Sequence, residues 1–343
     1  MHAIQLRRSV AQLFAVLALA CAFPVTSDAA DPQLKIGSLV PKNSLYHRQL
    51  MEVGEAWKKS QPGSSRFNVF TDGSQGGEAE MVRRMRIGQL QAALLSVVGL
   101  REIEPSIAAL QNLPLAFRSW EELDYVREKM RPSMEKKFLD KGYVVLAWGD
   151  AGWVRFFSKQ AAFSPDDYKK MKFFAWGAEA EQQEIMKSLG YTPVPLEPTD
   201  ILPSIQTGMI SVVPSTPYFA LASQIYNSAQ HMLEINWAPI VGAFVISKKS
   251  WDDMTPEMQR ALKSSSDKAG VVIRMQARKE VEEAVDAMKK RGLQVNKPNA
   301  AQMKEWQNLS ESLYPRIRGK MVPADTFDEV FMHLKTFRSQ KTP

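Results

Sequence analysis

One cysteine, Cys21, and four histidines are all that this 343-residue chain holds of thiol and imidazole metal ligands. A disulfide framework is therefore excluded, and thiol chemistry would rest on a single residue near the N-terminus. His47, His231 and His333 stand in no zinc or iron motif, and His47, just past a strand-to-helix turn, reads as a surface or capping residue. The chain lacks a Gly-x-Ser-x-Gly elbow, a P-loop and a dinucleotide-binding glycine pattern. No catalytic constellation and no cofactor site emerges, and the reading is of a protein that is not an enzyme. Long apolar runs are equally scarce. Only Val10 to Ala22 qualifies, and it is too short to span a bilayer. The formal charge of +7 is spread among interleaved acids, which describes a solvated surface and not a nucleic-acid stripe.

What is present begins with a leader over residues 1–30. Arg7 and Arg8 form its positive region, Val10 to Ala22 its apolar region, and Ser27-Asp28-Ala29 supplies small residues before a cut ahead of Ala30. The mature chain is then exported to the periplasm without any cysteine. Leu19-Ala20-Cys21 also resembles a lipoprotein cleavage site, but Ala18 occupies the place of a larger aliphatic residue, so ordinary cleavage is favoured. Roughly 310 mature residues exceed what one core usually holds, so two lobes are expected.

Along the chain, Leu34–Val40 reads as a strand, Tyr46–Ser60 as a helix stopped by Pro62-Gly63, and Phe67–Phe70 as a second strand. Gly73 to Ser96 reads as a glycine turn, an amphipathic helix, a turn at Gly88 and an apolar strand, with Met81, Val82, Met85 and Ile87 along one flank. Gly76, Gly77 and Glu78 fall at a helix N-terminus, where either an anionic ligand or Glu78 itself would satisfy the free N–H groups. An apolar loop follows at Ala108–Phe117, and Ser119 caps the next helix. Tyr143–Trp148 reads as a strand, with Gly149-Asp-Ala-Gly152 as a crossing point between lobes. Ser164-Pro-Asp-Asp opens a short helix, Lys172–Trp176 a strand, and Ala180–Leu189 a helix closed by Gly190. Thr199–Gly208 reads as a capped helix, Met209–Val213 as a strand, Ile240–Ile246 as a strand returning to the first lobe, and Thr255 to about Lys290 as a long helical system. This alternation defines an α/β protein of two lobes, periplasmic-binding-protein-like, with crossing strands and a long connecting helix. The first lobe comprises 31–149 plus about 237–270. The second comprises 150–236 plus part of 271–343, where the C-terminal helices span both.

Several of these segments in family order resemble the solute-binding proteins of TRAP transporters, the DctP type. They are Lys35–Ser44, Gly73–Glu78, Met85–Ser96, Leu113–Phe117, Phe156–Lys159, Ser164–Asp167, Pro193–Leu196, Ile205–Gly208 and Val245–Trp251. The resemblance implies two lobes closing on a small-molecule ligand, and TRAP permease membrane subunits as partners, with no use of ATP. The family usually holds its substrate carboxylate with an arginine in a segment like Leu-Lys-Ile-Arg-Val-Pro. Here the matching run is Met171-Lys-Phe-Phe-Ala-Trp176, with Phe174 in the arginine's place. A second family arginine matches Val154, and the adjacent Arg155 should point to the opposite face of its strand. A later Asp-Gly-x-Glu-Asn run matches Ser211–Ser215 and loses its acids.

A buried carboxylate without its arginine costs on the order of 3–5 kcal/mol, whereas aromatic walls favour apolar area and can attract a cation. The expected ligand is therefore apolar, amphipathic or aromatic. Trp153, Phe174, Trp176, Tyr218 and Trp237 are expected to form its wall. Tyr46, Gln75, Ser96 and Thr216 are expected as polar contacts, and Arg155 at the rim. The departures also resemble the TRAP branch associated with a tetratricopeptide-repeat lipoprotein, which would then be a further partner. A sensory role at a membrane receptor, or a carboxylate binder with a relocated anion site, are the alternatives.

Overall fold

A computed structural model describes residues 33–60, 65–177 and 179–341; the leader, Cys21 and the Pro62-Gly63 stop lie outside them. The chain opens with β1 (Gln33–Ser38), α1 (Leu45–Lys59), β2 (Arg66–Phe70), α2 (Glu78–Arg86), β3 (Ala92–Ser96), α3 (Val97–Leu100) and α4 (Trp120–Asp140). It continues through β4 (Tyr143–Trp153), β5 (Arg155–Ser158), α5 (Pro165–Lys169), β6 (Lys172–Trp176), α6 (Ala180–Ser188), β7 (Thr192–Leu196), α7 (Ile201–Thr207), β8 (Val212–Ser215) and α8 (Pro217–Ala222). Then come β9 (His231–Leu233), β10 (Pro239–Ser247), α9 (Lys248–Asp252), α10 (Pro256–Lys289), β11 (Gln294–Asn296), α11 (Ala300–Ile317) and α12 (Ala324–Lys341). No helix among the described residues is long and apolar enough to cross a membrane.

Two mixed sheets form the two lobes. The first runs β2-β1-β3-β10-β4 and the second β11-β9-β5-β8-β6-β7. Within the first, β1 pairs parallel with β2 and β3, while β10 inserts antiparallel between β3 and β4. The chain thus leaves the first sheet through β4, builds most of the second, and returns through β10. Parallel strands need long crossovers, and the amphipathic helices supply them: α2 buries Met81, Val82 and Met85 against the first sheet. Ile87, expected on that flank, is instead 55% exposed, because α2 ends at Arg86 and the chain turns at Gly88. The Ala108–Phe117 segment is not wholly a loop, since Pro105–Leu110 winds as a 3-10 turn capped by Glu104.

Capping signals were placed well by the sequence. Ser119 accepts from the Glu122 N–H, and Ser164 and Asp167 form a reciprocal capping box at α5. The strand expected at Met209–Val213 lies further on, at β8, because Ile210 and Ser211 close the turn that follows the left-handed Gly208. The long α10 is a single helix. It is tied to β4 by Lys263 to the Leu146 carbonyl and Arg274 to the Trp148 carbonyl, at 3.0 and 2.7 Å, and its last turns put Val285 and Met288 in the second lobe's core.

Candidate functional site

Between the lobes lies a cavity of ≈ 510 Å³ whose walls come from both. Strand ends and helix starts supply most of it, the usual position for ligands in α/β folds. From the first lobe come Leu39 and Val40 after β1, Tyr46 on α1, Glu78 on α2 and Ser96 at the end of β3. The second lobe contributes Val154, Phe174, Trp176, Glu179, Thr216 and Phe219, and Trp237 stands where the chain returns to the first. Among the described residues that line it there is no lysine, arginine or histidine.

Six of the ten residues singled out from the sequence line this cavity: Tyr46, Ser96, Phe174, Trp176, Thr216 and Trp237. Phe174 and Trp176, two apart on β6, share a face and meet edge-on with ring centroids 5.1 Å apart. Phe174 is 4% exposed and also packs into the second lobe's core with Phe157 and Val213. Trp237 packs on Phe156 and Trp306 and is held through backbone bonds to Val154 and Leu115.

The polar candidates are already engaged within the protein. Tyr46 donates its hydroxyl to the Asp150 carbonyl at 3.3 Å, and burial first, then the Asp150 charge, pushes its phenol well above the ordinary value. Ser96 caps α3, accepting from the Val98 N–H, and donates its hydroxyl to Glu78 at 2.7 Å. Thr216 caps α8 through the Phe219 N–H.

Four candidates lie outside the lining, each for a physical reason. Gln75 sits on a turn made by Gly73 and Gly76, both at positive φ, and accepts from Arg84 at 3.1 Å on the flank of α2. Trp153 is displaced by a β-bulge. The register between β4 and β10 shifts by one residue between Asp150 and Trp153, and this reverses the side-chain alternation. Its indole consequently packs on Trp120, with centroids 4.6 Å apart, inside the first lobe's core. Arg155 points away from Val154, as strand alternation requires, and donates to Glu282 of α10 at 3.1 Å, so it does not form the rim. Tyr218 stands behind the wall, against Tyr46 and Phe219.

The acids of the cavity were missed as wall residues. Glu78, expected to satisfy its own helix, instead reaches the next one: its carboxylate accepts from Ser96 N, Ser96 Oγ and Gly99 N at 2.9, 2.7 and 2.8 Å. Burial pushes its carboxyl up, against those three bonds. Only glycine fits at position 99, because a β-carbon there would stand 2.7 Å from the Glu78 Cβ. Glu179, ahead of α6, is 4% exposed and meets Arg101 of the first lobe at 3.3 Å. Burial raises its carboxyl, while Arg101 opposes the shift. Asp150 on β4 binds Arg278 at 2.8 Å and approaches Arg127 at 3.5 Å. An acid beside glycines at a strand end was the available signal, but its partners come from distant segments. No group of three or more potential metal ligands occurs among the described residues.

Two lobes, strands that cross twice and a cavity between them define the fold of a two-lobe periplasmic binding protein. The family model for bacterial extracellular solute-binding proteins, family 7, the DctP family, matches residues 36–320, and the chain belongs to this family. Among its relatives, the 2,3-diketo-L-gulonate-binding periplasmic protein YiaO of Escherichia coli is 23% identical over 275 residues, covering 79% of this chain and 82% of the relative. The C4-dicarboxylate-binding periplasmic protein DctP of Rhodobacter capsulatus is 22% identical over 291 residues, covering 83% and 86%. The fold is similar to that of a TRAP periplasmic solute-binding protein from Ralstonia eutropha with bound (S)-2-acetolactate, with a TM-score of 0.82 and 18% identity over 89% of this chain and 99% of the other. It is also similar to one from Shewanella oneidensis with bound succinate, with a TM-score of 0.81 and 16% identity over 89% and 100%. The family is one of solute-binding proteins and not of enzymes.

Proposed function

We propose that this protein is a periplasmic receptor, exported through its N-terminal leader, that captures an apolar, amphipathic or aromatic solute between its lobes. It delivers that solute to the membrane subunits of a TRAP permease, driven by an ion gradient without ATP. The lobes divide near residue 149 and again near 237, and Phe174, Trp176 and Trp237 form the wall, with Tyr46, Ser96 and Thr216 beside them. A tetratricopeptide-repeat lipoprotein is proposed as a further partner, on the strength of the sequence departures at Phe174 and Ser211–Ser215.

One observation carries the choice of ligand: the cavity lining holds no cationic side chain among its described residues. The relatives named above are described with carboxylates, and a carboxylate entering a low-dielectric site needs a charged donor to replace its water. Arg155, next to the lining residue Val154, is directed to Glu282 instead, and Arg127 and Arg278 beside β4 are engaged by Asp150. Phe174 and the two tryptophans supply apolar area, at about 25 cal/mol per Å² buried. Mass spectrometry of the small molecules that co-purify with the protein tests this reading. An apolar or amphipathic molecule is expected, and recovery of a small dicarboxylate would overturn it.

A further inference from the structure

The cavity is more specific than an apolar cleft. Four acids line it, Asp72, Glu78, Asp150 and Glu179, without a basic residue among the described lining. Glu78 and Glu179 come from opposite lobes, and the charge of Glu78 bears on Glu179. Glu78 is fully occupied by Ser96 and Gly99. Among the described residues the Glu179 carboxylate is paired with Arg101, a guanidinium shared with Glu181 at 3.7 Å. One guanidinium therefore serves one buried carboxylate and a second at the surface.

A separate observation points the same way. The Asp150 side chain is 0% exposed, its Oδ2 is held by Arg278 and Arg127, and its Oδ1 has no hydrogen-bond partner. A buried carboxylate oxygen without a donor is costly, by about 1–3 kcal/mol or more for a charged group. What this carboxylate leaves unmet is thus one hydrogen-bond donor at Oδ1, its charge being balanced by the two arginines. The lining's aromatic faces, Trp176 and Trp237, add to this, because the face of an indole attracts a cation.

We infer that the ligand is an amphipathic amine, with its apolar body against Phe174, Trp176 and Trp237 and its protonated nitrogen turned toward Glu179. The inference rests on the apolar-ligand reading above and narrows it. A carboxylate in the same place would meet Glu78 and Glu179 with no partner of its own.

Calorimetric titration of the purified protein with phenylbutylamine, phenylbutanol and phenylbutanoate tests it, since the three share one body and differ in the charge of the head. The amine is expected to bind at least about tenfold more tightly than the alcohol, with the carboxylate weakest. Glu179→Gln should bring amine and alcohol together, and Arg101→Gln, which removes the competing cation, should widen the gap. The two variants move in opposite directions, so a general loss of folding cannot imitate both, and either one that folds is informative. An amine no tighter than the alcohol, with the carboxylate silent, overturns the inference and leaves the apolar reading standing. A carboxylate that equals the amine, or a dicarboxylate that binds while none of the three does, overturns both.

Discussion

Glu78 shows how much one side chain can fix. Its carboxylate closes three donors at the start of α3 and at the same time forms part of the cavity wall. In Glu78→Gln one of those donors would face an amide N–H₂ group, and the expected loss of stability is about 1–3 kcal/mol, read as a lowered midpoint in urea. An unchanged midpoint would mean that the cap contributes nothing. Phe174→Arg tests the other residue on which the ligand argument turns. Gain of measurable succinate binding by calorimetry, with loss of the apolar solute, is expected if β6 presents position 174 to the ligand. Retention of the wild-type preference would place Phe174 in the core alone. The sequence disclosed Phe174 because a matching run left an aromatic ring in a charged residue's place. It did not disclose Glu179, whose meaning depends on Arg101, seventy-eight residues away in the chain.

At the scale of elements, caps and alternations were readable and pairings were not. Lys172–Trp176 reads as a strand from its sequence and is one over the same residues, since both faces are apolar and a helix start precedes it. Trp153 was misplaced because the bulge at Ala151–Gly152 exists only relative to β10, a partner some ninety residues downstream. The C-terminal α12 shows the same dependence. Its Arg338 binds Glu122 on α4 at 2.8 Å and the Ala116 carbonyl at 2.7 Å. Burial alone would raise the Glu122 carboxyl, but Arg338 and the Arg118 N–H prevail and hold it below the ordinary carboxylate value. Its folded pKa is therefore depressed, and its contribution is present above the unfolded value and lost as pH falls through the folded one. Arg338→Ala should lower the melting temperature at neutral pH, and the difference from wild type should shrink on acidification below about pH 4. A constant difference across that range would show that Arg338 acts through packing alone.

For the molecule as a whole, opening and closing must pass through β4, β10 and α10, the elements that join the lobes. Gly152 is the narrow point. Its φ is +105°, and a β-carbon there would stand 3.0 Å from Val281 of α10. Gly152→Ala forces both a left-handed strain and a shift of the long helix, at a cost of about 1–2 kcal/mol from the backbone alone. Reduced stability together with weaker ligand binding is the expected result, from thermal melts and titration of the same preparation. Normal affinity in a destabilised variant would show that the crossing strand can move without disturbing the site.

The cavity's walls also bear on what happens between deliveries. Leucine, valine, phenylalanine and tryptophan side chains offer water few bonding partners, and water held in such a space is readily given up. Shutting the lobes therefore forfeits little hydration along that apolar part of the wall, although the acids Asp72, Glu78, Asp150 and Glu179 keep theirs, and Arg101 bridging to Glu179 ties the lobes together. If it delivers to a permease as proposed, a receptor built this way runs a risk of idle cycling, docking while empty. Its transport yield per docking event then depends on how completely solute outcompetes vacancy before the lobes meet.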